Sequence, residues 1–356
     1  MTHGAAGVTV RAARLNDSGE VARVDAFVAA HPGGTPFHLP AWGLATARAT
    51  GQRFTLLLAE RGTDLVGMLP ITIVRSRLFG AALVSTGFGV GGGVLGDDPA
   101  AEAALVAEAL AMADATAAPT IELRGGPVPQ GPGWSVDADR YLGFVRPIAA
   151  DDAAELAAIP RKQRAEVRKA LAAELEVVTG RGPRDRAEHF AVYGESVRNL
   201  GTPVFPRALF REVLDAFGPE GADILTVRHA GKPVASVLSL YWRGTVYPYW
   251  GGGTRAARGL RANDAMYFAL MRHARARGCT AFDFGRSKAG TGPAAFKKNW
   301  GFVPQPLAYP TWTRDGAAPR DASPLNPKYR LKIAAWQRLP LAIANRLGPW
   351  IARGLG

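Results

Sequence analysis

The segment Phe282–Phe302 (FDFGRSKAGTGPAAFKKNWGF) combines more residues suited to chemistry than any other part of the sequence. A short apolar strand runs into a glycine-punctuated loop, and a helix then begins at Pro293. Backbone N–H groups and cations meet where a strand end opens onto a loop and a helix start, so a phosphate or carboxylate can be held there. The pattern predicts an anion-binding crevice, with the candidate cations Arg286, Lys288, Lys297 and Lys298.

Asp283 alternates with two phenylalanines in this strand, so its carboxylate points to the opposite side, where it could reach a cleft. We predict that Asp283 acts as a base or orients a reacting group. The alternative is that Asp283 pairs with Arg286 or caps a loop. Tyr247 and Tyr249, in YPYWGGG, bring hydroxyls to the mouth of the same cleft, and a tyrosine can act as general acid for a departing thiolate or alkoxide. The alternative for this aromatic strand is packing. The predicted catalytic residues are Asp283, Tyr249 and Lys297.

A second group of cations lies just before a predicted helix that starts near Asn263 and Asp264. Arg258 and two neighbouring arginines, with Asn263 as candidate N-cap, would reinforce the positive end of this helix and favour a diphosphate. The alternative is a solvated loop. Arg258, Asn263 and Tyr247 are therefore predicted to bind substrate.

The order of the predicted elements repeats along the chain. A hairpin, a glycine triplet, a helix and a short closing strand occur at residues 54–74, 91–93, 99–116 and 121–123, and again at 224–241, 251–253, 263–278 and 282–284. This repetition predicts an internal duplication, although chance agreement of a common pattern is an alternative. The first copy ends without a lysine-bearing helix, so we expect the chemistry in the second half or at the interface.

A chain of 356 residues is long enough for two domains. We predict an N-terminal domain over 1–150, a C-terminal domain over 151–325 and a basic amphipathic tail over 326–356. The sequence shows no apolar stretch long enough to span a bilayer, no signal peptide pattern and one cysteine, Cys279. These features predict a cytoplasmic protein, peripheral to the inner membrane if the tail docks there.

The formal charge of +13 favours anionic partners, namely phosphate-bearing substrates, tRNA, other nucleic acid or an anionic membrane face. The alternative is that a GC-rich genome produced the arginines. The tail residues Lys328, Arg330, Lys332, Arg338, Arg346 and Arg353, without acidic neighbours, suit a membrane-surface helix or a helix packed on the body. The six histidines lack metal-ligand spacing, so no metal is expected. Nothing in the sequence indicates the oligomeric state.

Several stretches together carry a family resemblance. They are FHLPAW (37–42), RNLGTPVFP (198–206), ADILTVRHAGKPVASVLSLYW (222–242), YPYWGGG (247–253), FDFGRSKAGTG (282–292), FKKNWGF (296–302) and LNPKYRLKIAAWQRLPL (325–341). On these stretches the sequence resembles the FemAB-related proteins associated with the PEP-CTERM/exosortase system, within the acetyltransferase-like (GNAT) superfamily.

The resemblance implies an α/β (α+β) fold of tandem GNAT-like domains, each a mixed, mostly antiparallel sheet flanked by helices. It also implies transfer of an acyl or aminoacyl group to an amine or hydroxyl of a cell-envelope or exopolysaccharide precursor, with acyl-CoA or aminoacyl-tRNA as donor. Arg164 and Arg168 resemble a substrate-phosphate element, and Lys297 or Lys298 resembles the lysine near the transfer site. The Arg258–Gly259 loop is only a degenerate form of the pyrophosphate-binding motif, so the sequence does not decide between acyl-CoA and aminoacyl-tRNA as the donor.

Two functions of other classes compete with this interpretation. Residues 151–175 are predicted to be helical, and they carry a basic cluster over 161–169. This cluster and the net charge also suit a non-catalytic nucleic-acid-binding protein. The basic tail also suits a catalytically silent scaffold that docks on the membrane during envelope polysaccharide assembly.

Overall fold

A computed structural model describes residues 7–317 and 330–356. The described residues form two compact units. The first contains residues 7–138, 308–317 and 351–356, and the second contains residues 139–307 and 330–350. Lys328 of the predicted tail lies outside the described residues, as does the beginning of the stretch 325–341.

The first unit is a mostly antiparallel sheet flanked by helices. Numbered in chain order, its elements are β1 (Val8–Ala12), α1 (Ser18–Ala30), α2 (Pro40–Thr50), β2 (Arg53–Arg61), β3 (Asp64–Ser76), β4 (Gly80–Ser85), β5 (Leu95–Gly96), α3 (Pro99–Thr116), β6 (Thr120–Leu123), β7 (Trp134–Val136) and β16 (Pro310–Thr313). The strand order is β1-β2-β3-β4-β6-β16-β7, and β5 pairs with β3.

The ends of α3 follow from its sequence. The Asp98 carboxylate accepts hydrogen bonds from the N–H groups of Ala100 and Ala101, at 2.9 and 3.0 Å. Pro99 occupies the first helical position, where no N–H is needed. The hairpin of β2 and β3, predicted from its apolar runs, is confirmed, because the two strands pair antiparallel along their length.

The second unit has the same architecture. Its elements are β8 (Tyr141–Pro147), α4 (Asp152–Ala158), α5 (Arg161–Leu171), β9 (Glu176–Gly180), α6 (Pro183–Asn199), α7 (Arg207–Gly221), β10 (Ala222–His229), β11 (Lys232–Trp242), β12 (Thr245–Gly253), α8 (Ala257–Leu260), α9 (Ala262–Ala276), β13 (Ala281–Asp283), β14 (Ser287–Lys288), α10 (Gly292–Asn299), β15 (Pro304–Pro306), α11 (Arg330–Arg338) and α12 (Leu341–Ala352), of which the last two residues belong to the first unit. The strand order is β14-β8-β13-β12-β11-β10-β9, and β15 pairs with β8.

The two sheets repeat one plan. In the first unit β4 and β6 pair in parallel on either side of α3 in the chain, and in the second unit β12 and β13 pair in parallel on either side of α9. This agreement follows the repeated order of elements predicted from the sequence. The core of the second unit packs α9 against the strands around Phe144, Phe282 and Trp300, each fully buried.

The structure differs from the sequence-based expectation in three segments. The strand β8 begins at Tyr141, before the predicted limit at residue 150, yet lies in the second sheet beside β13. The strand β16 lies before the predicted limit at 325, yet belongs to the first sheet between β6 and β7. The expected single helix over 151–175 is two helices, because Pro160 has extended backbone angles and separates α4 from α5.

Among the described residues, no helix is both long and apolar enough to cross a membrane.

Candidate active site

The two parallel strands β12 and β13 separate soon after they meet. In the described sheet they pair through Thr245 with Ala281 and Val246 with Phe282. The strand β12 then continues to Gly253, whereas β13 ends at Asp283. Backbone and side-chain polar groups beyond the last pair therefore face an opening between parallel strands, which is a common place for a ligand in α/β sheets.

Tyr247 and Asp283 occupy equivalent positions on the two sides of this opening, one residue past the last pair. Burial and then the charge of Asp283 raise the pKa of the Tyr247 phenol above its ordinary range, so the two groups interact. Tyr249 lies two residues further along β12, at a bulge. The pairing with β11 shifts there, since Trp250 is opposite Leu238 and Pro248 is opposite Ser239.

Asp283 is held at the end of β13 by its own loop. The N–H of Gly285 donates to Asp283 Oδ1 at 2.7 Å. Burial raises the pKa of Asp283 to about 6, although the Gly285 N–H and the nearby Lys297 charge act in the opposite direction. The carboxylate is therefore ready to exchange a proton close to neutral pH.

Lys297 reaches the same strand end from α10. Its ammonium donates to the carbonyl oxygens of Gly285 and Arg286 at 3.2 and 3.1 Å, and lies 5.2 Å from the centroid of the Phe144 ring. Burial lowers the pKa of Lys297 to about 7; the Asp283 charge opposes this shift and the Arg286 charge adds to it. The structure thus brings together a half-buried carboxyl group and a buried amine, both with pKa values near neutrality.

Lys298 does not share this environment. It is the next residue of α10, and its side chain is exposed, whereas that of Lys297 is buried. Consecutive helix positions differ by about 100° in direction, which separates the two ammonium groups.

The loop cations predicted to bind anions gather around one aromatic ring. The guanidinium carbons of Arg286 and Arg140 lie 4.5 and 5.4 Å from the centroid of Tyr141, and Lys288 Nζ lies 5.9 Å away. The pairing of β14 with β8 sets Lys288 opposite Tyr141 and fixes this arrangement. We refer to Arg140, Tyr141, Arg286 and Lys288 as the Tyr141 cluster.

Sequence reasoning missed Tyr141 and Arg140, because they lie outside all of the resembling stretches. Their only local signal is an arginine before the alternating strand YLGFVRP. The strand β14, which pairs with β8 and sets Lys288 opposite Tyr141, lies far away in the sequence.

The glycine triplet of β12 lets two helices approach the strand. A Cβ at Gly252 would lie 2.4 Å from Ser196 Oγ of α6, and one at Gly253 would lie 2.4 Å from Asn263 Oδ1 of α9. The prediction of Asn263 as N-cap is wrong, because Asn263 is the second residue of α9 and the N-cap is Arg261. Within the described residues, the buried Asn263 Oδ1 has no hydrogen-bond donor, so it can accept one from a ligand at this helix start.

Three other predicted binding residues have surroundings of a different kind. Arg164 donates to the carbonyl oxygens of Ile159 and Ala157, where it holds the connection between α4 and α5. Arg168 of α5 and Arg258 of α8 are exposed. Their contacts neither support nor contradict a role toward a large anionic substrate, which stays a prediction.

The equivalent strand end in the first unit is filled by protein. Arg124 follows β6 and is 4% exposed. Its guanidinium donates to the carbonyl oxygens of Thr86, Gly89 and Gly356 at 3.0, 2.9 and 2.7 Å, and its Nε donates to Glu122. The two strand ends are therefore chemically different, one closed by a guanidinium and one holding Asp283 and Lys297.

Over the ranges 7–317 and 330–356, no three histidine, cysteine, aspartate or glutamate side chains are grouped in a way that could hold a metal ion.

Residues 160–298 match the family model described as acetyltransferase (GNAT) domain. This stretch contains the opening between β12 and β13 and extends to Lys298 of α10. The match to this family model therefore lies within the second unit. No curated protein sequence matches the chain significantly.

Solved structures resemble nearly the whole chain. FemX matches with 16% identity and a TM-score of 0.64, over 88% of this chain and 98% of that one. A tandem GNAT protein from the clavulanic acid biosynthesis pathway matches with 15% identity and a TM-score of 0.55, over 88% and 100%. The C-terminal domain of a putative lysylphosphatidylglycerol synthetase from Agrobacterium fabrum matches with 14% identity and a TM-score of 0.52, over 82% and 91%.

These likenesses concern the fold, because the identities are low. They confirm the predicted fold class of tandem GNAT-like domains, each a mixed, mostly antiparallel sheet flanked by helices.

Proposed function

We propose that the second unit transfers an acyl or aminoacyl group to an amine or hydroxyl of a cell-envelope or exopolysaccharide precursor. The observation that carries this proposal is the pair of half-buried Asp283 and buried Lys297 at the opening between β12 and β13. Acyl transfer needs a group that accepts a proton from the nucleophile and a positive charge near the carbonyl oxygen. This pair can supply both at one strand end.

The acceptor nitrogen or oxygen attacks the acyl carbonyl, and its proton passes to Asp283. The ammonium of Lys297 stabilises the negative charge that develops on the carbonyl oxygen. A tyrosine then gives its proton to the departing thiolate or alkoxide. Tyr249 is the sequence-based candidate. Tyr247 is a second one where the leaving group is an alkoxide, because an alkoxide is basic enough to take a proton from a phenol with a raised pKa.

Both substrates have places to bind in this scheme. The Tyr141 cluster offers several cations to the phosphates of an anionic glycan precursor. The start of α9, with the buried Asn263 Oδ1, offers a helix N-terminus and an acceptor atom to the donor, acyl-CoA or aminoacyl-tRNA. The stretches that carry the family resemblance support a FemAB-related protein of the PEP-CTERM/exosortase-associated type. The structural neighbour named as a putative lysylphosphatidylglycerol synthetase supports an aminoacyl donor.

The neighbouring lysines of α10 give a matched test. The purified protein is incubated with labelled acyl-CoA or aminoacyl-tRNA and an extract of nucleotide-linked and lipid-linked envelope precursors, and transfer products are followed by mass spectrometry. We expect Lys297→Met to lower kcat/KM by roughly 100- to 1,000-fold, as for loss of one oxyanion-stabilising group. Lys298→Met, which loses the same charge from an exposed position, should change it by less than about threefold.

If the two variants were equally active, the assignment of Lys297 to the mechanism would be wrong.

A second experiment addresses the donor. Mass spectrometry of molecules that co-purify with the protein distinguishes a CoA thioester from tRNA.

Binding of nucleic acid without catalysis is the second candidate. The observation in its favour is the exposed basic side of α5, with Arg161, Lys162, Arg168 and Lys169. Such binding should weaken steeply with salt and occur with ordinary DNA or RNA. Transfer by the wild-type protein, lost in Lys297→Met, would count against this candidate.

A further inference from the structure

The helix α12 packs on the second unit through small residues. A Cβ at Gly348 would lie 2.9 Å from the backbone nitrogen of Val204, and one at Gly194 of α6 would lie 2.8 Å from Asn345 Oδ1. Ala344, one turn before Gly348, is also buried. The inward side of α12 is therefore made of short side chains that let its backbone approach the body of the unit.

The large apolar side chains of α12 point the other way. Ile343, Leu347 and Trp350 are 46, 46 and 50% exposed. Their spacing of four and three residues places them on one side of the helix. A helix at the surface of a globular protein normally buries its large apolar residues and exposes its polar ones, so this arrangement is inverted. The outward side of α12 has the apolar content of a buried surface.

Positive charge accompanies this apolar side. Arg346 is exposed and, being three residues after Ile343, shares its side of the helix. The preceding helix α11 has exposed Arg330 and Arg338, and its Leu331 is 80% exposed. Residues 330–356 contain no aspartate or glutamate. Any surface that covers Ile343, Leu347 and Trp350 must therefore accept cations as well as apolar groups.

We infer that α12 docks on an anionic lipid bilayer. Its three large apolar side chains enter the boundary between head groups and acyl chains, and Arg346 and the cations of α11 contact lipid phosphates. A bilayer meets both requirements, because its interior side accepts apolar groups while its surface carries negative charge. The tryptophan suits this depth, since its ring is apolar and its N–H stays near water. This inference is independent of the proposed transfer reaction.

Co-sedimentation of the full chain with vesicles tests it. One set of vesicles contains phosphatidylcholine alone, and the other contains phosphatidylglycerol as well. We expect binding to the second set that decreases as salt is raised. The triple variant Ile343→Ser, Leu347→Ser, Trp350→Ser should lower the partition coefficient about tenfold or more, because each side chain loses its apolar transfer. Arg346→Gln should lower it about fivefold, the equivalent of about 1 kcal/mol per cation at such a surface.

A matched control removes the same number of exposed apolar side chains elsewhere in the second unit. The variant Leu171→Ser, Val177→Ser, Val303→Ser changes residues that are 44, 42 and 71% exposed and should bind vesicles like the wild type. Thermal unfolding of each variant checks that it is folded.

Three results would overturn the inference. They are no sedimentation with the anionic vesicles, equal loss in both triple variants, and a wild-type dimer in gel filtration that the α12 variant dissociates while vesicle binding is absent. The last result would identify a second copy of the chain as the partner of α12.

Discussion

Burial brings the pKa values of Asp283 and Lys297 toward each other, from opposite sides of neutrality. The first rises to about 6 and the second falls to about 7, in both cases mainly because the charged form loses water. Two such groups interact, so the observed titration belongs to the pair. A pair of this kind changes protonation near neutral pH, which an ordinary aspartate or lysine would not do.

The first prediction at this scale concerns the dependence of kcat/KM on pH. If ionised Asp283 accepts the proton and protonated Lys297 stabilises the oxyanion, kcat/KM should rise through about pH 6 and fall through about pH 7. Steady-state rates of the wild type and of Lys297→Met give the measurement. The falling limb should disappear in the variant. A wild-type profile that stays flat across this range would contradict the assignment.

Deprotonation of Lys297 does not itself destabilise the fold over the range of the falling limb. The pKa of Lys297 is about 7 in the folded chain and 10.5 ordinarily, so between these values the unfolded chain binds more protons. The contribution of this group to the free energy of unfolding therefore increases as pH rises through that window.

The sequence predicts part of this site and leaves the rest undetermined. Strand alternation in FDF predicts that Asp283 points away from Phe282 and Phe284, and in the structure both phenylalanines are buried whereas Asp283 is half-buried. The sequence does not separate Lys297 from Lys298, since only the docking of α10 decides which one is buried. Arg140 and Tyr141 acquire their neighbours through pairing of distant strands, and no local pattern encodes that.

At the scale of elements, the packing of α9 against β12 depends on a residue without a side chain. A Cβ at Gly253 would lie 2.4 Å from Asn263 Oδ1 and 2.8 Å from Ala257 Cβ. The strand can therefore approach the start of α9 only where no side chain intervenes. This contact also sets the position of the helix end that we propose binds the donor.

We predict that Gly253→Ala lowers the free energy of unfolding by about 1–3 kcal/mol, because the added methyl forces the two elements apart. It should also raise the KM for the donor, since the start of α9 moves. Chemical denaturation and steady-state kinetics are the measurements. Gly259→Ala is the control, because its Cβ would have no atom within 4 Å and α8 is helical there. Alanine should be neutral or slightly stabilising at that position, and equal destabilisation of both variants would contradict the packing argument.

Elements with local signals are predicted well. The helix α3 has the predicted bounds because Asp98 and Pro99 specify its first turn, and short apolar runs joined by polar turns specify the two hairpins. The division of residues 151–175 into two helices was missed, although Pro160 is the local signal for it. The sheet membership of β8 and β16 was not predicted, because it depends on partners far away in the chain.

At the scale of the whole molecule, each sheet contains a strand from a distant part of the sequence. The first sheet holds β16 between β6 and β7, and the second holds β8 between β13 and the short strand β14. The predicted domain limits at 150 and 325 assign both strands differently. The two descriptions lead to different expectations for a truncated chain.

We predict that a fragment of residues 1–150 fails to form a cooperative fold, because it lacks the partner of β6 and β7 and carries β8 without its sheet. A fragment of residues 1–138 joined by a flexible Gly/Ser linker to residues 308–317 restores β16 and should unfold cooperatively. Near-ultraviolet circular dichroism during denaturation distinguishes the two. A well-folded 1–150 fragment would favour the predicted limits instead.

The position of β16 also has a consequence for the time course of synthesis. The strand that completes the first sheet lies at Pro310–Thr313, and nearly all of the second unit is translated before it. At ~5–20 residues per second, β6 and β7 wait on the order of 10–35 s for their partner. During that interval the ribosome-bound chain exposes two unpaired strand edges, which are sites of aggregation. We therefore expect a nascent chain arrested before residue 310 to bind ribosome-associated chaperones more strongly than one arrested after residue 317.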